Sequence, residues 1–475
     1  MRINHNSMAL NASDHFAKVN NNIAKSMSRL SSGYKITSPA DDAAGLAIST
    51  RMNSQIRGLE RASLNSNDGI SVIQSAEGGL NEMHSVLERM RELAVKAAND
   101  VLSEDDRDAV QEEIDSLAQE LDQVATTTAF NDQVLLDGSM ARRTMPTDYF
   151  VKTSYISTDV PVGTYKLSVS AAATQAAYTT GITSGGGTIT AAEAGSIHVN
   201  GFSVAISEGM TMTEVYEALQ THLQKIDVEV FASNDGGATQ TDFSSGAPVM
   251  FRTIGYGSDN RIEIGIDNPD LAAKLGVNDG DLNTGDDCQA TITATDDGFT
   301  STATYTTVGN EITVVDRNGF EMVIEVDPEL YDSSSPDVEI EVLSAGTMVI
   351  QTGANSGEEI ELDIPSVSAK SLGVDSLIMY TNEYASDAIA AIDKAVTKIS
   401  NIRSKLGAYE NRLNDIYDNL EVQNESVTAA YSRIMDTDMA EEMTNYTKED
   451  VLSQAAISMM QKSNERPESL LQLLQ

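Results

Sequence analysis

The chain has 475 residues, with 31 Lys and Arg against 72 Asp and Glu, and a formal net charge of −41 at pH 7. So acidic a chain disfavours nucleic acid and anionic membranes as partners, because both repel negative charge. The single cysteine, Cys288, excludes an intramolecular disulfide and any multi-cysteine metal site, and we expect it to be a buried, inert thiol.

The N-terminal segment predicts helices and no leader or membrane span. It reads MRINHNSMAL, without the basic region and long apolar run of a conventional signal peptide. No stretch of the chain reaches the ~18 apolar residues typical of a membrane span. The motif SPADDAAGLAIS predicts a helix start, with Ser38 as the cap and Pro39 in the first position. The preceding Asn- and Ser-rich segment carries an apolar stripe at helical spacing: Phe16, Val19, Ile23, Met27 and Leu30.

Two longer apolar patterns follow and predict a helix, a short turn and a returning helix. Steps of three and four residues run from Ile73 to Ala97 and again from Val110 to Val124. Between them, Ser103 is followed by acidic residues, as is typical of a helix N-cap and first turn.

Residues 141–345 predict strands. Glycine and threonine become frequent, Asp-Gly and Asn-Gly turns recur, and SIHVNGFSVAI is typical of a hairpin. TMTEVYEALQTHLQ predicts a helix within this region, and IDVEVFAS, VMFRTI and RIEIGI predict strands. This pattern indicates one or two β-rich domains that interrupt a helical rod.

The C-terminal part returns to helix. A heptad pattern from Ile402 to Ile434 favours coiled-coil packing, which core helices of a bundle within one subunit would satisfy equally well. The chain closes on LLQLLQ, which a lone terminus cannot bury. The residues alone favour a frayed tail, or docking on the same chain, for these four leucines: Leu470, Leu471, Leu473 and Leu474.

Blocks at both ends identify the sequence as similar to bacterial flagellin. The N-terminal blocks include MRINHNSMALNA, DDAAGLAIS and RMRELAVKAAND, and the C-terminal blocks include LGAYENRLNDIYDNL, AYSRIMDTDMAEEM and NERPESLLQLLQ. The resemblance covers roughly residues 1–140 and 346–475. It implies an α+β multidomain fold, in which both termini form a long α-helical coiled-coil rod that carries a β-rich variable insert.

The resemblance also implies a division of the chain into three regions. Residues 1–42 and 433–475 would form the terminal helices of the filament inner core. Residues 43–140 and 346–432 would form the helical rod with a short β-hairpin, and residues 141–345 the outer insert of one or two subdomains.

As a flagellin, the chain is expected to polymerise with itself into the extracellular filament used for swimming. The resemblance implies that the stripe from Phe16 to Leu30 and the four closing leucines are buried against neighbouring subunits in that assembly. The implied partners are the flagellar cap and hook-junction proteins and a cytosolic chaperone of the flagellum-specific type III export route. No cofactor, nucleic acid or membrane is expected to bind.

The resemblance further implies that a host Toll-like receptor binds the chain, and inflammasome receptors are a further expected partner. Arg89 and Leu93 lie four residues apart and off the helical seam, so they form a candidate contact surface. A solvated helix face with one stray leucine is the alternative. By the resemblance, this surface also contacts the next subunit of a protofilament and comprises Glu88, Arg89, Met90, Arg91, Leu93 and Glu113.

Enzymatic activity is not expected. The five histidines are scattered, and no HExxH, GxSxG or phosphate-binding glycine loop occurs. Two alternatives to a filament subunit stay open at this point. One is a hook–filament junction protein, and the other is a flagellin scaffold whose insert carries an adhesive or enzymatic activity.

Overall fold

The computed structural model describes residues 6–99, 101–157, 159–237, 239–292, 298–300, 302–316, 319–331 and 337–472. Both ends of the chain are helical and the middle is rich in strands, which confirms the predicted α+β fold class. The long helices are α1 (Ser7–Ser32), α2 (Ala43–Ala97) and α3 (Glu104–Thr127), then α7 (Asn382–Met435) and α8 (Met439–Gln472).

The chain divides into two compact units. The terminal unit comprises Met1–Gly69, Ile350–Ile360 and Arg412–Gln475, and the larger unit comprises Ile70–Val349 and Glu361–Asn411. These boundaries lie inside α2 and α7, whereas the three regions expected from the sequence were bounded near the helix ends. The three-region division therefore stays a prediction about the assembled protein.

In the terminal unit, α1 and α8 lie side by side. Asn6 caps α1, and Gly33 ends it in the left-handed conformation at φ 76°. The backbone after Gly33 then pairs with the turn between α7 and α8, where Thr437 N donates to Gly33 O at 3.0 Å. This pairing fixes the end of α1 beside the start of α8.

The predicted start of α2 was wrong by a few residues. Ser38 and Pro39 belong to a turn, and α2 begins at Ala43. The Asp42 carboxylate accepts from Gly45 N at 2.9 Å and so satisfies a backbone group of the first helical turn. Ser38 instead donates to the Asp41 carboxylate, which fixes the turn before the helix.

In the larger unit, α2, α3 and α7 pack around an aliphatic core. The predicted helix, turn and returning helix are confirmed, with Ser103 as the N-cap of α3 in a reciprocal capping box with Asp106. The predicted α7 seam is buried through Ile392, Ile399, Ile402 and Leu406. The side chains that fill the α2 and α3 part of this core are less than 2 % exposed: Ile73, Leu80, Met83, Leu87, Met90, Ile114 and Leu121.

The β-rich middle contains two hydrophobic cores. The first has two four-stranded sheets, with strand orders β13-β5-β17-β3 and β14-β15-β16-β4. Their bounds are β3 (Thr144–Pro146), β4 (Val151–Ile156), β5 (Gly163–Ala171), β13 (Gln289–Thr291), β14 (Thr304–Val308), β15 (Glu311–Val315), β16 (Glu321–Val326) and β17 (Asp337–Val342). Cys288 lies in this core, which confirms its expected burial, and that burial raises the pKa of its thiol to about 11.

The second core is formed by residues that lie, in the sequence, between β5 and β13 of the first core. A three-stranded sheet of order β6-β10-β9 and a four-stranded sheet of order β12-β11-β7-β8 enclose it together with α4 (Met212–Leu223) and α5 (Pro269–Leu275). The strands are β6 (Ala177–Thr179), β7 (Gly195–Val199), β8 (Phe202–Ile206), β9 (Val228–Ala232), β10 (Val249–Thr253), β11 (Arg261–Ile266) and β12 (Asp281–Thr284).

The hairpin predicted from SIHVNGFSVAI is β7 and β8. Its two turn residues, Asn200 and Gly201, both have positive φ, as the Asn-Gly pair indicates. Two short hairpins and one short helix complete the fold: β1 (Ala129–Phe130) with β2 (Gln133–Val134), β18 (Met348–Gln351) with β19 (Glu359–Leu362), and α6 (Ala369–Leu372).

Both β-rich cores pack on the helices of the same unit. From the second core, Lys225 pairs with Asp108 of α3 at 2.9 Å, and Arg261 pairs with Glu383 of α7. From the first core, the Tyr155 ring faces Lys398 of α7 at 5.3 Å. The sequence predicted an outer insert, and the structure adds that ion pairs and a cation–π contact link the insert to its own helices.

Arg107 is a buried cation that ties three segments together. Its guanidinium donates to Ala97 O at 2.7 Å, to Asn99 O at 3.2 Å and to Met379 O at 3.2 Å. Only 8 % of the residue is exposed. We predict that Arg107→Ala lowers the free energy of unfolding by about 3 kcal/mol, because it leaves buried carbonyl groups without their charged donor.

Urea unfolding followed by circular dichroism measures this loss. The control is Arg51→Ala, which removes an exposed arginine from α2. An equal, small effect of both substitutions would show that Arg107 does not hold the segments in place.

Asp363, which follows β19, predicts a pH dependence of stability. The residue is 6 % exposed, and burial raises the pKa of its carboxyl to about 6, although Arg142 lies 3.8 Å away and acts to lower it. The folded chain therefore binds a proton more tightly than the unfolded chain, whose carboxyl has the ordinary value of 3.8. The free energy of unfolding therefore falls as pH rises from 3.8 to about 6, because the unfolded chain loses this proton first.

We predict that Asp363→Asn removes this cost. The stability of the variant relative to the parent chain should increase by about 1 kcal/mol between pH 5 and pH 7. Urea midpoints at the two pH values measure the change, with the exposed Asp387→Asn as control. A constant difference between variant and parent would contradict the raised pKa.

Candidate functional site

The predicted apolar stripe of α1 is left largely uncovered by the chain itself. Phe16, Val19, Ile23 and Leu30 are only half-buried, and Met27 is 53 % exposed. The buried residue of this 26-residue helix is Ser26. The stripe thus lies on α1 as predicted, but the folded chain does not use it as a core.

Polar residues link α1 to α8. Ser453 is buried opposite Asn20, and Asn6 donates to Ser463 O at 3.0 Å. Arg29 lies 3.9 Å from the buried Glu442 carboxylate. The fully buried side chains that these links involve are polar, whereas apolar side chains of both helices stay half-buried or exposed.

A second apolar set on α8 was missed by sequence reasoning. The exposed fractions are 58 % for Val451, 44 % for Leu452, 42 % for Ile457 and 68 % for Met459. The segment VLSQAAISMM carries the signal, since apolar pairs recur there at helical spacing. These residues extend the apolar surface of α8 well before the closing leucines.

The two apolar sets meet in a groove of about 650 Å³ along the paired helices. Met8, Ala12 and Val19 line it from α1, and Leu452 and Met459 line it from α8. An open apolar groove on an isolated chain is typical of a surface that another protein covers.

The closing leucines can be placed only in part. The backbone of Leu470 and Leu471 belongs to α8, which ends at Gln472, and the structure does not describe their side chains. Leu473 and Leu474 lie outside the described residues. Their predicted role in assembly stays a prediction.

The structure brings Arg89 and Glu113 together. The Glu113 carboxylate accepts from Arg89 Nη2 at 2.7 Å and from Arg89 Nε at 3.0 Å, and Glu92 accepts from Arg89 Nη1 at 3.0 Å. These hydrogen bonds raise the pKa of Arg89. Nearby, Arg91 pairs with Asp393 of α7 at 2.7 Å, and Glu88 is exposed.

The predicted exposure of Leu93 was wrong. Leu93 is 3 % exposed and Met90 is fully buried, so neither side chain can belong to an open surface. The reason is that α2 contacts α3 through the Arg89 pair and α7 through the Arg91 pair, so its buried face is wider than a two-residue heptad seam. The exposed apolar residue here is Val95, at 50 %.

The described ranges contain neither a metal cluster nor a membrane span. There, no three His, Cys, Asp or Glu side chains come close enough to hold a metal ion. None of the described helices has the length and apolar character needed to cross a membrane.

Both helical ends of the chain match known protein families. The family model for the bacterial flagellin N-terminal helical region matches residues 3–141, and that for the C-terminal helical region matches residues 389–474. A flagellin of Clostridium tyrobutyricum is 33% identical over 468 residues, covering 98% of this chain and 100% of that protein. Flagellin D of Vibrio anguillarum is 30% identical over 476 residues, covering 100% of this chain and 99% of that protein.

Among solved structures, FliC from Burkholderia pseudomallei matches 72% of this chain and 99% of its own, at 15% identity and a TM-score of 0.24. That score is too low to support a conclusion about fold. The family assignment depends on the sequence matches, which cover both helical ends and, in the two relatives, almost the entire chain. This chain therefore belongs to the flagellins, the structural subunits of the bacterial flagellar filament.

Proposed function

We propose that this flagellin assembles by burying the apolar flanks of α1 and α8 against other copies of the same chain. The observation that carries the proposal is the open groove between the two helices, together with the exposed apolar residues beside it. A fully buried aliphatic side chain contributes about 1.5–3 kcal/mol, so several of them are sufficient to drive association.

The geometry favours a growing polymer over a closed pair. The groove is lined by residues from Met8 to Val19 of α1, whereas Met27 lies further along the same apolar stripe and is exposed outside the groove, so the two are different patches. When one patch fits a different patch on the next subunit, the contact is heterologous and leaves a free patch at each end. Such contacts propagate into helical filaments.

The surroundings of assembly follow from family membership. The filament lies outside the cell, and the chain reaches its tip through the flagellum-specific type III route with a cytosolic chaperone on its C-terminal helix. The cap and hook-junction proteins are its neighbours at the two ends of the filament. A buried thiol in place of disulfides suits a chain that is exported unfolded.

We predict that Leu452→Asp prevents filament formation. Leu452 lines the groove and is already 44 % exposed, so the substitution leaves the isolated chain folded but places a charge in the assembled interface. Electron microscopy and sedimentation after seeding measure assembly, and circular dichroism checks the helix content.

The matched control is Val162→Asp, which puts the same charge on an exposed apolar position of the β-rich insert. It should polymerise normally. Filament growth by Leu452→Asp at the parent concentration would refute the groove as an assembly surface.

A second function, recognition by a flagellin-sensing Toll-like receptor, is supported by the Arg89–Glu113 pair. The two side chains lie on adjacent helices and are half-exposed, and Glu88 and Arg91 are exposed beside them. This gives a charged, ordered patch that a receptor, or the next subunit of a protofilament, can contact. The buried side chains of Met90 and Leu93 pack beneath this patch. Inflammasome receptors would bind the closing leucines instead.

We predict that Arg89→Ala and Glu113→Ala each reduce receptor activation at least tenfold in reporter cells, since each removes a contact group. The exchange Arg89→Glu with Glu113→Arg keeps an ion pair within the chain but reverses the charges that a partner meets. It should stay inactive while unfolding in urea like the parent chain. Recovered activity in the exchanged variant would indicate a structural role alone.

A further inference from the structure

The terminal unit carries two charged stripes of opposite sign on its long helices. The basic stripe lies on α2 and consists of Arg57 and Arg61, one helical turn apart, with Leu64 on the same face. All three residues are exposed, and the exposed fraction of Leu64 is 53 %. Glu60 and Asp68 lie beside this stripe, so its positive charge is confined to the two arginines.

The acidic stripe lies on α7. It consists of four exposed carboxylates at steps of three and four residues along the helix: Asp415, Asp418, Glu421 and Glu425. Val422 lies among them and is 63 % exposed. Each stripe thus combines charged groups with one exposed apolar side chain, a combination that is typical of protein interfaces.

The two stripes lie on opposite sides of the helix pair. Leu59 of α2 is buried in one apolar cluster with Leu420 of α7, which marks the faces by which the two helices pack. Arg57 and Arg61 lie two positions on either side of Leu59, and Asp418 lies two positions before Leu420. Two positions correspond to about 200° around a helix, so both stripes face away from the contact between the helices.

The stripes also lie at the same level along the pair. Gly69 of α2 lies against Leu413 of α7, whereas Leu59 clusters with Leu420, so the two helices run antiparallel. This pairing brings the two stripes level with each other. A second copy that is set beside the pair in the same orientation therefore presents its acidic stripe to the basic stripe with little shift along the helix axis.

The charges of both stripes are unpaired within the part of the chain that the structure describes. There, neither arginine of the basic stripe and none of the four carboxylates of the acidic stripe forms an ion pair. By contrast, Arg89 and Arg91 of the same helix are paired with Glu113 and Asp393. Copies of a chain with net charge −41 repel each other, so contact between them depends on places where opposite charges meet.

We propose that the basic stripe of one subunit contacts the acidic stripe of the next subunit in the filament. A second copy is the fitting occupant, because the stripes are complementary in charge, level with each other and on opposite sides of the pair. The contact is heterologous, so each added subunit again offers one free stripe of each sign. The proposal rests on the proposed polymerisation, since exposed charges select the orientation of neighbours more than they hold them together.

Charge reversal tests the contact. The reversed variant carries Arg57→Glu with Arg61→Glu, which places like charges opposite the acidic stripe of the neighbour. The swapped variant adds a change to lysine at all four acidic positions: Asp415→Lys, Asp418→Lys, Glu421→Lys and Glu425→Lys. We expect the critical concentration for polymerisation to rise several-fold in the reversed variant and to return towards the parent value in the swapped variant. Urea unfolding of the monomers should be unchanged, because the positions are exposed and unpaired in the described chain.

Seeding distinguishes a contact between copies from an effect on the single chain. The swapped variant meets like charges on both stripes of a parent subunit. It should therefore elongate its own seeds but not parent seeds, as followed by electron microscopy and sedimentation. Elongation of parent seeds by the swapped variant at the parent rate would overturn the pairing of the stripes.

The matched control is Arg143→Glu with Lys152→Glu, which makes the same change in net charge at two exposed positions of the insert. It should polymerise at the parent concentration. If the reversed variant behaves like this control, the pairing of the stripes is wrong, while the assembly proposal still stands on the result for Leu452→Asp. Absence of filaments from the parent chain itself would instead refute the assembly proposal, and the pairing with it.

Ionic strength separates an effect of charge from an effect of shape. The Debye length falls from about 10 Å at 0.1 M salt to about 3 Å at 1 M salt. We expect the ratio of critical concentrations between the reversed variant and the parent chain to shrink several-fold over this range. A ratio that stays constant would assign the defect to the shape of the new side chains and overturn the electrostatic contact.

Discussion

The α1–α8 contact is the constraint on which the rest of the molecule depends. The hydrogen bonds and the ion pair across it involve serine, asparagine, arginine and a buried glutamate, while the apolar stripe of α1 stays half-buried or exposed. A polar contact aligns two helices and fixes their register, but it removes little apolar surface from water. The two helices therefore fix each other's position, while apolar side chains of both remain exposed and available to another surface. Under the proposed function, these apolar side chains of the two terminal helices become buried only when other subunits cover them.

In the larger unit, by contrast, the helices and both β-rich cores bury their apolar side chains within the chain itself. Cations are scarce in this chain, and several lie at the contact between insert and helices, including Lys225, Arg261 and Lys398. Exposed ion pairs add little stability. The apolar packing of Tyr380, Tyr384 and other side chains against the second core supplies more of it. The charges mainly fix where the acidic insert docks and prevent it from being repelled by the acidic helices.

Much of this fold could be predicted because its signals are local. The Ser103 capping box, the Asn200-Gly201 turn and the helix after Thr211 each depend on a few adjacent residues, and each is confirmed. The burial of Leu93 could not be predicted in this way, because it depends on two neighbouring helices that meet α2 from different sides. Docking of the insert depends on residues more than a hundred positions apart, such as Lys225 and Asp108, which no periodic pattern relates.

At the surface around Arg89, substitutions can separate an effect on partner recognition from an effect on folding. Arg89 and Glu113 keep 50% and 43% of their side chains exposed, so their ion pair contributes little to folding. A loss of recognition on changing them is therefore attributable to the partner contact. The same reasoning fails for Leu93, since a core substitution there would lower stability and recognition together. Because Leu93 is buried, only the charged groups of the patch can be assigned a direct contact with a partner.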